Sequence, residues 1–142
     1  WDHPSFGNPA IDGYAHVNPF GNYLGLCNDL LSGAQCNDKL VGIYDFVEDD
    51  PSTPDVVEEN TNGKDNDGHG SLTAGISAGN SVSTFYNGYN VQPSGVAPRA
   101  NLVSYRVCFI GEPEGPDSGG CAGSAILAAI DQAIADGVDV IT

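Results

Sequence analysis

The sequence has 142 residues, enough for one domain with a hydrophobic core, and it is strongly acidic. Four Lys and Arg against 19 Asp and Glu give a formal net charge of −15 at pH 7, so its surface repels nucleic-acid phosphates and anionic lipid heads. No apolar run approaches the ~20 residues that span a bilayer. We therefore expect neither nucleic-acid nor membrane binding. The chain opens without a charged-then-apolar leader, so we expect any signal peptide to precede Trp1.

The first part of the chain, residues 1–38, is predicted to be a long surface loop. It is rich in Gly, Asn and Pro and keeps neither helical nor strand periodicity. The α/β part is predicted over residues 39–142. It opens with Lys39–Phe46, a short apolar run of strand formers between turn residues, which predicts a buried strand. Acids, prolines and glycines then predict a solvated loop over residues 47–68.

His69 follows this loop and is flanked by two glycines. We expect a helix to begin at or just after it, and its small residues would let that helix lie close to a sheet: Gly70, Ala74, Gly75 and Ala78. Each glycine destabilises a helix by about 1 kcal/mol relative to alanine, so these glycines serve a purpose other than helix stability. A helix N-terminus also favours the neutral imidazole, the form that a general base needs. From the residues alone two interpretations stay open, a catalytic base and a structural histidine.

The last third of the chain predicts a strand, a helix and a second strand. A further loop over residues 80–95 comes first, and Ala100–Cys108 has the composition of a buried strand. The helix begins with Ser124 as its N-cap and ends at Gly137 in a left-handed turn. Its apolar residues recur at helical spacing, with Asp131 and Asp136 on other faces: Ile126, Leu127, Ile130 and Ile134. Val138–Thr142 resumes strand character. A strand–helix–strand unit of this length predicts the α/β class, with a parallel sheet and flanking helices.

The four cysteines form two close pairs in sequence, Cys27 with Cys36 and Cys108 with Cys121. Four cysteines allow three connectivities, and the residues alone do not choose among them. Because neither pair has the CxxC spacing of a zinc or redox site, two short-range disulfides are favoured over free buried thiols. Each would add about 2–3 kcal/mol in the chain-entropy model. Such disulfides indicate an exported protein.

The remaining candidates for metal binding are weak. His3 and His16 lack the spacing and the acidic partners of a metal motif, so both are interpreted as loop histidines. Asp65–Gly68 is similar to the start of a calcium loop, but Ile76 stands where that loop needs its glutamate. The sequence therefore predicts no metal site and no cofactor.

Five segments together resemble subtilisin-like serine proteases. "GHGSLTAG" (68–75) is similar to the family's histidine motif, "GVAPRANLVSYRV" (95–107) to the segment that leads into the next core strand, and "AILAAIDQAIADGVDVI" (125–141) to the helix and strand after it. "WDHPSF" (1–6) and "CNDKLVGIYDF" (36–46) resemble the branch shared by plant cucumisin-like and related bacterial secreted enzymes. Ser71 and Leu72 depart from the usual Thr-His of the motif. We interpret both as packing changes.

The resemblance implies a partial subtilisin-like catalytic domain of a secreted endopeptidase, with His69 as the general base of an Asp-His-Ser triad. Its substrate is a polypeptide, and its partner is the rest of the catalytic domain. The aspartate is expected immediately before Trp1, and the serine and the oxyanion asparagine beyond Thr142, so residues 1–142 are expected to be inactive alone. By position, Ser118, Gly119 and Gly120 would pair with the substrate backbone. A plain turn before the helix is the alternative for these three residues.

A different class of function remains open beside the protease. The chain could belong to a non-catalytic secreted binding domain that derives from a subtilase. The two hypotheses differ in whether the flanking sequence keeps the aspartate and the serine, because both are needed for acyl transfer.

Overall fold

The computed structural model describes residues 3–29, 31–47, 63–110 and 119–142. Its strands and helices, in chain order, are β1 (Leu24–Gly25), β2 (Leu40–Asp45), α1 (His69–Ala78), β3 (Thr84–Tyr86), β4 (Tyr89–Val91), β5 (Leu102–Arg106), β6 (Cys108–Phe109), β7 (Gly120–Cys121) and α2 (Gly123–Asp136). Two short 3-10 helices, Pro4–Phe6 and Leu26–Asn28, complete the described elements. None of the helices in these four ranges is long and apolar enough to cross a membrane.

The central sheet has three parallel strands in the order β1-β2-β5. β2 lies in the middle, and its apolar residues Leu40, Val41 and Ile43 are buried. A strand that is covered on both faces has a continuous run of apolar residues, and this run is the pattern from which the sequence predicts β2. The buried strand predicted over Lys39–Phe46, the strand predicted over Ala100–Cys108 and the α/β class with a parallel sheet are confirmed, but β5 is half-buried throughout and not buried as predicted.

One strand lies where the sequence predicts only loop. β1 pairs Leu24 with Gly42 and Gly25 with Ile43. It is two residues long, and a two-residue segment cannot show the alternation by which strands are predicted from sequence.

Residues 80–95 likewise contain an antiparallel hairpin, β3–β4, instead of an uninterrupted loop. Its turn is Asn87–Gly88, where both residues have positive φ, and the Asn-Gly pair is the sequence signal that the loop prediction overlooked.

The predicted second helix is present as α2 and ends as expected, because Gly137 adopts a left-handed conformation with φ 73°. Its start is corrected. Ala122 is the N-cap residue and Ser124 lies inside the first turn, so the Ser124 side chain does not cap this helix. The buried face is also different from the predicted one: it consists of Ala125, Ala129 and Ala133.

The large apolar residues predicted for the core side of α2 are instead 38–69 % exposed: Ile126, Leu127, Ile130 and Ile134. Alanines allow a helix to approach its neighbours closely, and this small-residue side is the buried one. The wider apolar side is only partly covered by the described part of the chain.

The C-terminal end of α2 is joined to the sheet by a polar cluster. The rings of Tyr44 in β2 and Tyr105 in β5 stack with centroids 5.3 Å apart. Both hydroxyls donate to Asp136, at 3.1 and 2.8 Å, and Gln132 donates to the same carboxylate at 2.9 Å. Burial, together with the hydrogen bond to Asp136, raises the pKa of Tyr44 to about 12. Asp136 therefore serves as a structural acceptor, on a different face of the helix from the large apolar residues, as the sequence predicts.

The strand predicted over Val138–Thr142 is not formed among the described residues. A strand needs a hydrogen-bonded neighbour, and this segment pairs with none of the described strands. Val140 and Ile141 are 79 % and 58 % exposed. The segment ends beside α1, where the Thr142 hydroxyl lies 3.3 Å from that of Ser77.

The two predicted short-range disulfides are confirmed. Cys27 is bonded to Cys36, and Cys108 to Cys121. The second disulfide joins directly paired residues of the antiparallel strands β6 and β7. It therefore fixes β7 against β6 immediately before α2 begins.

Candidate active site

His69 is the first residue of α1, as the sequence predicts, and its side chain is exposed. The residue before it, Gly68, is the N-cap and has φ 92°, a conformation that favours glycine. The backbone N–H of His69 donates to the Asp67 carboxylate at 3.2 Å. The local backbone thus presents the imidazole to solvent at the positive end of a ten-residue helix.

Asp65 supplies the cap that Gly68 lacks. Its carboxylate accepts backbone N–H groups from Gly68 at 2.8 Å and from Ser71 at 2.7 Å. Burial raises the pKa of Asp65, but hydrogen bonds from the Ser71 side chain and from backbone N–H groups outweigh it, so the pKa lies below its usual value. From the sequence, Asp65 is a candidate only for a calcium loop. Its distance before the helix was the signal for a capping role.

The C-terminal end of α1 is held by the segment that leads into β5. Val96 donates to the Ile76 carbonyl at 3.0 Å, and Ala97 donates to the Ser77 carbonyl at 2.9 Å. Gly95 donates to the Gly79 carbonyl at 2.8 Å. These bonds satisfy carbonyls that a helix C-terminus leaves without an intrahelical partner.

The prediction that small residues bring α1 close to a sheet is wrong for most of the helix, because only its C-terminal end is packed, and the segment packed there is the one that leads into β5. Ala78 is buried, and Gly95 packs on the helix end. Within the described ranges, however, an added Cβ at Gly75 would meet no atom within 4 Å, and at Gly70 it would meet only the Asp65 carboxylate. Most of α1 is exposed among the described residues, because the central sheet does not lie beneath its middle turns.

A buried pair of polar side chains lies just beyond α1. Asn80 and His16 are 2 % and 3 % exposed, and His16 Nε2 lies 2.9 Å from Asn80 Oδ1. His16 does lie in a loop, as interpreted, but its ring is in the interior and packs edge-on against Tyr14, which the sequence does not predict. His3 remains an exposed histidine, and its Nδ1 accepts the Ser5 N–H. Sequence reasoning missed Asn80 entirely, since a single asparagine carries no periodic signal.

The predicted substrate-binding residues lie at β7, except for Ser118, which lies outside the described residues. Gly120 belongs to β7, and Gly119 precedes it with φ 92°. β6 is the partner of β7, and no second strand among the described residues pairs with its other edge. His69 and the two glycines share no hydrogen bond in this part of the chain. They are brought to separate elements, α1 and β7.

No group of three or more His, Cys, Asp or Glu side chains within the described ranges could hold a metal ion. What the arrangement offers chemically is an accessible imidazole at a capped helix N-terminus and a glycine-containing strand edge. An imidazole of this kind can accept and return a proton, and such an edge can pair with an extended peptide.

Comparison with known families decides the identity. Residues 10–142 match the model of the subtilase family. The chain belongs to the subtilase family. This match includes α1 with His69, the central sheet and α2, so the chain carries part of a subtilisin-like serine protease catalytic domain.

This subtilase chain is also similar to curated proteins of Arabidopsis thaliana. It is 43 % identical to subtilisin-like protease SBT1.5 over 113 residues, which cover 75 % of this chain and 13 % of that protein. It is 36 % identical to subtilisin-like protease SBT2.2 over 147 residues, which cover 99 % of this chain and 16 % of that protein. Against subtilisin-like protease SBT1.2 it is 36 % identical, covering 95 % of this chain and 18 % of that protein. The chain thus spans less than a fifth of the length of these relatives.

Proposed function

We propose that His69 is the general base of a secreted serine endopeptidase to which this chain contributes part of the catalytic domain. The observation that carries the proposal is the exposed imidazole on the first residue of α1, inside the segment that matches the subtilase family. In acyl transfer, the imidazole takes the proton of the attacking serine hydroxyl and later gives it to the leaving amine. A carboxylate orients the imidazole and stabilises its protonated form. We assign the aspartate to the segment before Trp1 and the serine to the segment beyond Thr142.

The substrate is a polypeptide that binds in an extended conformation along β7. Support comes from the glycines at Gly119 and Gly120 and from the edge of β7 that no described strand occupies. Backbone hydrogen bonds of an added strand give affinity, and a residue without a side chain leaves room for that strand. The assignment of Ser118 to substrate binding stays a prediction, because this residue lies outside the described ranges. The disulfide Cys108–Cys121 supports this site by holding β7 on β6.

The branch and the location of the enzyme are part of the same proposal. The Arabidopsis thaliana relatives are all named subtilisin-like proteases, which supports the plant cucumisin-like branch. Two disulfides support passage through the secretory pathway, where thiols are oxidised. The division into a loop region over residues 1–38 and an α/β part over residues 39–142 stays a prediction.

The test is hydrolysis of a fluorogenic peptide by the complete protein and by its His69→Ala variant. Removing the histidine of a serine-protease triad costs on the order of 10⁶-fold in turnover, so we expect activity to be lost while the protein stays folded. His3→Ala is the matched control, because His3 is also exposed but only caps a short 3-10 helix. Near-normal turnover by His69→Ala would overturn the assignment. Equal losses in both variants would do the same.

A further inference from the structure

Asn80 lies two residues beyond α1 and fastens the N-terminal segment, residues 4–16, to the helix that carries His69. Its backbone N–H donates to the Ser5 carbonyl at 2.8 Å. Its side-chain Nδ2 donates to the Gly7 carbonyl at 2.7 Å and lies 3.4 Å from the Pro4 carbonyl. Three contacts from one buried residue thus join α1 to the beginning of the segment.

His16 connects the other end of the N-terminal segment to the same asparagine. Because Asn80 Nδ2 faces two carbonyl oxygens, Asn80 Oδ1 is an acceptor, so His16 Nε2 is the donor in the 2.9 Å bond between them. His16 N donates to Asn8 Oδ1 at 2.8 Å, and Asn8 Nδ2 lies 3.4 Å from the His16 carbonyl. The segment therefore closes on itself, and both its ends meet at Asn80.

We infer that Asn80, together with His16, is a positioning residue for catalysis. The inference rests on the proposed function, in which the triad aspartate precedes Trp1 and the base is His69. The N-terminal segment follows that aspartate in the chain, and α1 carries the base. Asn80 is the buried point at which the two supports are joined. It touches neither substrate nor reacting atoms and acts through the geometry of the aspartate–histidine pair.

The length of α1 explains why a contact at one end affects the other. A helix of ten residues is about 15 Å long, so a tilt of about 4° at Asn80 moves His69 by about 1 Å. A misplacement of about 1 Å in a catalytic group can cost about 10²-fold in rate. The bonds of Val96 and Ala97 hold the helix end on one side, and Asn80 holds it on the side of the N-terminal segment.

The experiment compares Asn80→Ala with Asn101→Ala in the complete protein. Asn101 is a matched asparagine: its Nδ2 donates to the carbonyls of Val17 and Asp38, so it ties the N-terminal region to the start of β5 instead of α1. We expect Asn80→Ala to lower kcat by about 10- to 100-fold with KM changed less than about twofold. Asn101→Ala should keep kcat near that of the parent. Equal kcat values for the two variants would overturn the inference.

Two further comparisons separate positioning from a general loss of folding. On the His69→Ala background, Asn80→Ala should reduce the residual rate by less than about twofold, since its effect passes through the missing imidazole. The same large loss on both backgrounds would show a structural role and contradict the inference. His16→Gln keeps a donor for Asn80 and should retain far more activity than His16→Ala; equal losses would also contradict it. Normal turnover by His69→Ala alone would instead defeat the proposed function.

Discussion

Gly95→Ala tests the packing that holds the C-terminal end of α1. Gly95 is buried against this helix end, and an added Cβ would lie 2.7 Å from Gly75 O, 2.8 Å from Ala78 N and closer still to Gly79 N. All three are backbone atoms, so no side-chain rotation can relieve the contacts. The segment must move away from the helix, or the helix end must deform.

The cost can be estimated in two ways from the structure. Forcing an extra carbon into a packed site costs about 1–3 kcal/mol. Moving the segment away would weaken the bonds from Gly95, Val96 and Ala97 to the helix end, each with a net worth of about 1 kcal/mol. The two estimates overlap at a loss of about 2–3 kcal/mol. For a domain of 150 or more residues this corresponds to a fall in Tm of about 5–10 °C.

Differential scanning calorimetry of the complete protein measures this loss, in the His69→Ala background so that any self-digestion is removed. Gly123→Ala is the matched control. Gly123 is the first residue of α2, and no atom of the described residues lies within 4 Å of an added Cβ, so alanine should be neutral or stabilise by up to about 1 kcal/mol. A Gly95→Ala protein as stable as the Gly123→Ala protein would refute the described packing.

Three further predictions concern the cap, a buried lysine and the substrate edge. Asp65→Ala should destabilise α1 by about 1 kcal/mol. Because folding lowers the pKa of Asp65, its stabilising contribution is present at neutral pH and is lost as the pH falls below 3.8. An acid-unfolding curve of Asp65→Ala identical to that of the parent would contradict this capping role. Burial lowers the pKa of Lys39 from 10.5 to about 8, so the free energy of unfolding should rise between pH 8 and 10.5. Denaturant titrations of Lys39→Met at several pH values measure this rise. The same rise in Lys39→Met would exclude Lys39 as its source. In Gly120→Ala the new Cβ would lie 3.7 Å from the Phe109 ring, which is an ordinary contact, so Tm should not change. The KM for peptides should rise, because the side chain stands where the substrate strand pairs. An unchanged KM would argue against substrate pairing at β7.

The parts of the fold that were predictable have strong local signals. β2 carries a continuous apolar run, α2 has helical periodicity with a glycine stop, and α1 begins at the His-Gly motif. The disulfide pairs were suggested by their closeness in sequence and are confirmed. Each of these depends on neighbouring residues along the chain.

The parts that were not predictable depend on contacts between distant residues. The buried face of α2 is its alanine side, because Tyr44 and Tyr105 bind Asp136 across the sheet, and periodicity favoured the isoleucine side. His16 is buried because Asn80, 64 residues later, accepts its hydrogen bond. No pattern within a short window reports such a pair. The proposed site has the same limit, since its other two triad members are assigned to segments outside residues 1–142.

The central claim, that His69 is the base of a serine protease, is tested most directly by covalent labelling with a fluorophosphonate. The complete protein should take up one label per chain, on a serine outside residues 1–142. The rate should fall by about 10³-fold or more in the His69→Ala variant, because the serine is then no longer activated. Labelling at the same rate without His69, or labelling of a serine within residues 1–142, would contradict the claim.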